Sequence, residues 1–462
     1  MKNFRVETDS LGKVNVPKQA LWKAQTQRSI ENFPIGIETM PFEIIKAFAY
    51  LKKSCAKANH SLKLLDDKKY HAIGLACDEI IEEKLNEQFP LVVWQTGSGT
   101  QSNMNVNEVI SSRSNQILSN DTVHPNDDVN KSQSSNDTFP SAMRIAFVLE
   151  LQNRLLPAIQ TLQATFLDKS KQFERIIKIG RTHLQDATPL TLGQEFSAYV
   201  EMLKKALNQV DDTMKYLTEL AIGGTAVGTG MNAHPSFCFM VCDDLNKITQ
   251  TKYSFVSHPN KFHALTSHDG EVMLSGVLNA LASNLMKIAN DIRWLSSGPR
   301  CGIGELELPA NEPGSSIMPG KVNPTQAEAM TMVAIQVMGN HTTVSIGASQ
   351  GNFELNVFKP VIAYNILQSI RLLSDTMLAF NNNCIVGIMA NEKQISEYLN
   401  NSLMLVTALN PYIGYEKASI IAKNAHKNCT TLKEEAIKLG FLTEKEFDNY
   451  MKPEEMIKPK KA

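Results

Sequence analysis

The sequence lacks an excess of charge of either sign: 46 Lys and Arg stand against 47 Asp and Glu, a net charge of −1. That balance excludes a nucleic-acid binder working through a basic surface and a polybasic protein of the membrane surface. No run of about 18 apolar residues is present, so no segment is expected to span a membrane. Met1 to Gly12 reaches Glu7 and Asp9 with no apolar run and no arginine-rich character, so neither a secretory signal nor a transit peptide is expected. The seven cysteines, Cys55, Cys77, Cys238, Cys242, Cys301, Cys384 and Cys429, are scattered. Their odd count and irregular spacing speak against a disulfide framework and for a reducing compartment, the cytoplasm. Cys238 and Cys242 share one helix face, but no second pair completes a metal set, and no metal is expected. Nucleotide motifs are missing too. Gly223 to Gly230 has the wrong spacing for Gly-x-Gly-x-x-Gly, and neither a Gly-x-x-x-x-Gly-Lys-Ser/Thr loop nor His-Glu-x-x-His occurs, so a nicotinamide or ATP enzyme is not expected.

What is present is helical periodicity on a long scale. With 462 residues, 43% apolar and 20% charged, the chain is globular and large enough for about three domains. From Leu192 the apolar residues Phe196, Tyr199, Leu203, Leu207, Val210, Met214, Leu217 and Leu220 recur mostly at three and four, and Gly223-Gly224 ends the run. That predicts a helix of about 30 residues, roughly 45 Å long. Similar runs go from Val277 to Leu295, from Leu151 to Phe166 with a bend expected at Pro157, and from Val361 to Phe380. A shorter fifth lies between Pro324 and Gly339, with Val333 and Val337 on its face. Helices this long bury their stripes only against one another, so the expected fold is mostly α with a central five-helix bundle. The expected domains are a mainly helical 1–134, the bundle 135–391, and a small helical 392–462, with a turn at Asn381-Asn382-Asn383 before it and a charged tail from Lys452 to Ala462.

Four polar stretches interrupt this pattern: Gly97 to Asn103, Ser132 to Asp137, Gly180 to Asp186, and Gly314 to Pro324. Their hydroxyls, amides and backbone donors suit a carboxylate or other small oxyanion without large net charge. Each taken singly also reads as a helix cap or a turn. Four together favour a site.

The fourth stretch, Gly314-Ser315-Ser316-Ile317-Met318-Pro319-Gly320-Lys321-Val322-Asn323-Pro324, resembles the signature of the fumarase/aspartase superfamily, whose members add to or eliminate across a carbon–carbon bond next to a carboxylate. The resemblance extends over nearly the whole chain, to the surroundings of Thr100 and Asn136 and to Leu409-Asn410-Pro411-Tyr412-Ile413-Gly414-Tyr415. Within the superfamily, Gly180-Arg181-Thr182-His183-Leu184-Gln185-Asp186 and Gln95-Thr96-Gly97-Ser98-Gly99-Thr100 are similar to class II fumarases. Aspartases carry Gln where His183 stands, and argininosuccinate lyase has a second Lys where this chain has Val322.

The resemblance implies reversible hydration of fumarate to (S)-malate, a step of the tricarboxylic acid cycle, with no metal or organic cofactor. It implies a small dicarboxylate substrate and a homotetramer with a core of twenty helices, each active site being built from three subunits. It assigns Ser315 as the base at C3, His183 as the group that handles water, and Glu328 as its orienting partner. Ser98, Thr100, Ser134, Ser135, Asn136, Thr182, Ser316, Lys321 and Asn323 match substrate-binding positions. His124, Asn126 and Asp127 match a second, peripheral dicarboxylate site, although Asp121 stands where that pattern has a basic residue. Gly302 and Gly304 are expected hinges for the serine loop. A lyase acting on aspartate or argininosuccinate, and a non-catalytic homologue such as a lens crystallin, are the alternatives.

Overall fold

The computed structural model describes residues 4–459; the first three residues of the Met1 to Gly12 stretch and the last three of the charged tail lie outside the described residues. The chain is mostly helical. It runs β1 (Phe4–Asp9), β2 (Gly12–Pro17), α1 (Ala24–Asn32), α2 (Phe42–Ser61), α3 (Asp67–Ile81), α4 (Thr100–Leu118), α5 (Ser135–Glu150), α6 (Leu156–Gln172), β3 (Ile177–Thr182) and β4 (Gln185–Thr191). It continues through α7 (Leu192–Leu217), β5 (Glu219–Leu220), α8 (Phe237–Thr249), β6 (Val256–Ser257), α9 (Lys261–Thr266), α10 (Asp269–Leu295), β7 (Leu306–Glu307), α11 (Thr325–Ala348) and α12 (Lys359–Asn383). Then come β8 (Met389–Ala390), α13 (Glu392–Asn401), α14 (Asn410–Ile413), α15 (Tyr415–Asn428), α16 (Leu432–Lys438), α17 (Glu444–Tyr450) and α18 (Pro453–Met456).

Two compact units share these elements. The first comprises Met1–Ala158, Ala206–Ser283 and Val333–Asp375; the second comprises Ile159–Lys205, Asn284–Met332 and Thr376–Ala462. In the first unit α2 packs against α3, α5 and α8. Ile44, Phe48, Leu51 and Cys55 on α2 are fully buried, and Phe48 meets Phe139 of α5 edge to face. In the second unit Phe166, Phe173, Phe196 and Tyr199 form an aromatic cluster with ring centroids 5.3–5.8 Å apart. A separate core made by Leu405, Leu409, Ile421, Ala436 and Phe447 holds the C-terminal helices, and Ile179 of β3 joins it.

The predicted helix runs are present, with shifted ends. α7 stops at Leu217, not Leu220, because the next residues extend: Val256 N–H donates to the Thr218 carbonyl and His258 N–H to that of Leu220. α11 passes through Gly339 to Ala348. Its buried face there includes Asn340, whose amide donates to the Asn365 carbonyl and to Ser369, so a polar residue occupies a core position that apolar periodicity skips. Asn381 to Asn383 form the last residues of α12, not a turn, since Asn381 falls on its buried face one residue after Phe380. Before Pro157 the helix widens into a π turn at Leu151–Leu155, the local adjustment that accommodates a residue with no N–H.

By length and composition alone α10 could cross a membrane, with an 18-residue window of mean hydropathy 1.4. It contains no unbroken apolar run of that length. Its buried Leu274, Leu278, Leu281, Leu285, Ile288 and Ile292 recur at three and four, with Asn279, Ser283, Asn284, Lys287 and Asp291 between them, which is the stripe of a bundle helix. Burying each such side chain contributes about 1.5–3 kcal/mol, more than helix propensity supplies. α11 differs in carrying large apolar residues on its exposed side as well. Met330, Ala334, Val337 and Val344 are buried, while Met332, Ile335 and Ile346 are about 60% exposed.

Candidate active site

The first unit brings five of the expected substrate-binding residues together at two helix N-termini. Thr100 opens α4 and Ser135 opens α5, and their hydroxyl oxygens lie 2.8 Å apart. Ser98 Oγ is a further 2.8 Å from Thr100 Oγ1, making a chain of three hydroxyls. Ser134 caps α5: its Oγ accepts from Asn136 N–H, and Asp137 reaches back to accept from Ser134 N–H at 2.9 Å. Asn136 donates its side-chain amide to the Ala226 carbonyl at 2.8 Å. The N-terminal ends of two helices thus lie at one set of hydroxyls, and their positive dipole ends suit a carboxylate. The α4 terminus requires Gly99, which has φ +76° and lies where a Cβ would run into the Phe139 ring.

Beneath this surface lies Asp137, fully buried. Its Oδ2 accepts from Gly223 N–H at 3.0 Å and Thr225 N–H at 2.8 Å. Burial pushes its carboxyl up to about 6, against the pull of these bonds. Lys52, also fully buried, donates to Asn130 Oδ1 and Gln133 Oε1 at 2.9 Å, and burial brings its ammonium down to about 8. The sequence marks Asp137 only as part of a polar stretch and does not mark Lys52 at all. The Ser134-x-x-Asp137 capping pattern is a signal for the first; a lysine within the apolar run of α2 offers none.

The second unit holds the remaining residues. The polar stretch Gly180–Asp186 is a hairpin of β3 and β4, with Thr182 paired to Gln185 and only His183 and Leu184 in the turn. Both have positive φ, +56° and +59°, which suits a two-residue hairpin but which non-glycine residues adopt at a cost of about 1–2 kcal/mol each. His183 is exposed at the tip, Leu184 is 66% exposed, and Thr182 is exposed beside them.

Ser315 sits in a loop closed by Gly314 N–H donating to the Lys321 carbonyl at 2.9 Å. A side chain at Gly314 would run into that carbonyl. Ser315 Oγ accepts from Ile317 N–H at 3.2 Å and Met318 N–H at 3.1 Å. Two donors aimed at one hydroxyl oxygen favour its anionic form, which a serine base requires. Lys321 Nζ donates to Asn323 Oδ1, and Asn323 donates its amide to the Gly314 carbonyl, both at 2.7 Å. Ser316 is exposed on the same loop. Lys321, Asn323 and Glu328 line a cavity of about 800 Å³, together with Asn290, Arg293 and Asn391. Among the described residues no hydrogen bond or ion pair joins Glu328 to His183. Gly302 lies against the Ser297 backbone with no room for a Cβ, and Gly304 has φ +61°.

The expected second site forms a turn of its own. His124 Nδ1 accepts from Asn126 and Asp127 N–H at 3.3 and 3.2 Å, and the Asp127 carboxylate lies 3.3 Å from the same ring nitrogen. Asp121 is turned onto Asn115, accepting at 2.7 Å.

This fold and these groups define a lyase. Residues 12–339 match the family described as Lyase, and residues 405–458 match the one described as Fumarase C C-terminus. The chain is 63% identical to the fumarate hydratase class II of Bacillus cereus, with 99% of each chain covered, and 60% identical to that of Helicobacter pylori, again covering 99% of each. Among solved structures, a class II fumarase from Schistosoma mansoni aligns with TM-score 0.96 at 45% identity, covering 98% of this chain and 99% of that one. The chain therefore belongs to the class II fumarases of the fumarase/aspartase superfamily.

Proposed function

We propose that this chain catalyses the reversible hydration of fumarate to (S)-malate by anti addition of water. Supporting the substrate are the full-length relatives named fumarate hydratase class II. The observation that carries the mechanism is Ser315 Oγ held by two backbone N–H groups in the loop that also bears Lys321 and Asn323.

In the dehydration direction Ser315, as alkoxide, takes the C3 proton of malate. The electron pair left behind spreads onto the adjacent carboxylate as an aci-acid. The C2 hydroxyl then leaves as water, receiving its proton through His183, and the double bond forms. Lys321 and Asn323 stabilise the extra negative charge, and such stabilisation usually lowers the barrier more than any other single effect. Thr100, Ser134, Ser135 and Asn136, with Ser98, Thr182 and Ser316, hold the two carboxylates so that the reacting atoms are aligned. Glu328 orients His183.

The working form is a homotetramer of three-domain chains, divided at 1–134, 135–391 and 392–462, acting in the cytoplasm. Support for assembly comes from the uncovered apolar side of α11 and from the absence of an in-chain partner for His183 among the described residues. Three subunits would then contribute to each site.

The test follows the alkene absorbance of fumarate with purified protein beside a His183→Asn variant. Wild type should consume the absorbance, and the variant should be slower by about 10²–10⁴-fold. No consumption by wild type would overturn the reading, and ammonia release from aspartate would replace it with a related lyase.

A further inference from the structure

We propose that Glu305 is a positioning residue that holds the strained His183 turn in place. This rests on the role given to His183 above. Glu305 is fully buried just before β7, and its backbone is pinned on both sides: its N–H donates to the Leu295 carbonyl at 2.8 Å, and its carbonyl accepts from Asn391 N–H at 2.9 Å. Its carboxylate faces two cations of β3. Oε1 accepts from Arg181 at 2.8 Å, and Oε2 lies 2.9 Å from Lys178 Nζ. Lys178 is 1% exposed and completes the set with Glu195 at 2.7 Å, so two cations meet two carboxylates.

Residues three apart on a regular strand point to opposite faces. Lys178 and Arg181 nevertheless reach one carboxylate. The hairpin register shifts between Ile179 and Arg181, and this bulge brings Arg181 round to the side of Lys178. A bulge that re-aims a side chain beside a functional residue is a built feature. Arg181 is also the last residue but one before the turn, and its guanidinium lies 5.8 Å from the centre of the Tyr398 ring. The turn itself holds His183 and Leu184 at positive φ, a conformation that persists only where its surroundings enforce it. The anchored carboxylate at the base of the hairpin supplies that enforcement, leaving the exposed tip free to meet another surface.

The decisive variant is Arg181→Lys, which keeps the charge and loses the planar fork, alongside Glu305→Gln. Each is assayed with fumarate as the purified full-length assembly. The expected result is a fall in kcat of about tenfold for Arg181→Lys and up to about a hundredfold for Glu305→Gln, with KM for fumarate changed less than about threefold. Glu305→Asp should recover part of the loss. In a His183→Asn background Arg181→Lys should cost nothing further, because the group it positions is already gone. A folded Arg181→Lys enzyme with kcat within about twofold of wild type would overturn the proposal, and so would a loss that simply multiplies with that of His183→Asn. If Glu305→Gln does not fold, Arg181→Lys decides alone. If His183→Asn itself keeps full activity, the reading of His183 fails first, and that outcome is distinguishable from failure of the positioning role alone.

Discussion

In the first unit the residues proposed to bind substrate are engaged with one another: Thr100 touches both Ser98 and Ser135, Ser134 caps its own helix, and Asn136 is tied to the Ala226 carbonyl. In the second unit His183 stands exposed on a two-residue turn, and neither it nor the Glu328 carboxylate has a partner among the described residues. The first region is preformed, with the α5 N-terminus tied by the buried Asp137 carboxylate to the Gly223 and Thr225 backbone. The second presents the groups proposed to react outward on stiff supports, a hairpin and a glycine-bounded loop. Binding groups gain from preorganisation within one unit, whereas groups that serve a shared site, as proposed for His183, must be displayed and still held in one geometry.

The sharpest way to break this contrast is to prevent assembly. Ile335→Glu with Ile346→Glu on the exposed side of α11 should give a monomer by light scattering. Its turnover of fumarate should fall at least about a thousandfold, because the displayed groups no longer meet their site. A monomer retaining activity would end the shared-site account. Next in size, Ser315→Ala removes the oxygen held by Ile317 and Met318 N–H. It should lower kcat by about 10²–10⁴-fold with little change in KM, as steady-state kinetics would read.

Smaller effects are expected in the first region. Thr100→Val cuts the hydroxyl chain and leaves the Ser135 and Ser98 hydroxyls each short of a partner, so KM for fumarate should rise by about 5–30-fold, for a loss of about 1–2 kcal/mol. The last prediction concerns stability. The Asp137 carboxyl titrates at about 6 in the fold against an ordinary 3.8. A carboxyl raised by folding binds its proton more tightly in the native state. Its contribution is therefore fully present below about pH 4 and is lost as pH rises through about 6. Asp137→Asn should flatten the pH dependence of Tm across that window. A thermal-melting series that keeps the wild-type slope would assign the dependence elsewhere.

Much of this was legible in the amino-acid order. The five long helices announce themselves because a buried stripe must repeat every three or four residues, as Leu274, Leu278, Leu281 and Leu285 do. The Ser315 loop was legible because a glycine, two serines, a proline and a lysine cannot serve an apolar core. Helix ends were less so. α7 stops at Leu217 because backbone partners 38 residues later, from Val256 to His258, claim its continuation, and α11 runs past Gly339 because Asn340 finds partners on α12. Neither competition leaves a mark in the local pattern.

The sequence by itself determined which segments are helical, which stretches are polar, and, through resemblance, the chemistry proposed for those stretches. Only the tertiary structure decided how these groups are held: His183 at positive φ on a hairpin tip, Asp137 buried with bonds to residues 223 and 225, and Lys178 and Arg181 closed on Glu305. The physical reason is range. Periodicity and capping act within a few residues, whereas a buried carboxylate needs donors from wherever the fold brings them, here from 86 to 127 residues away.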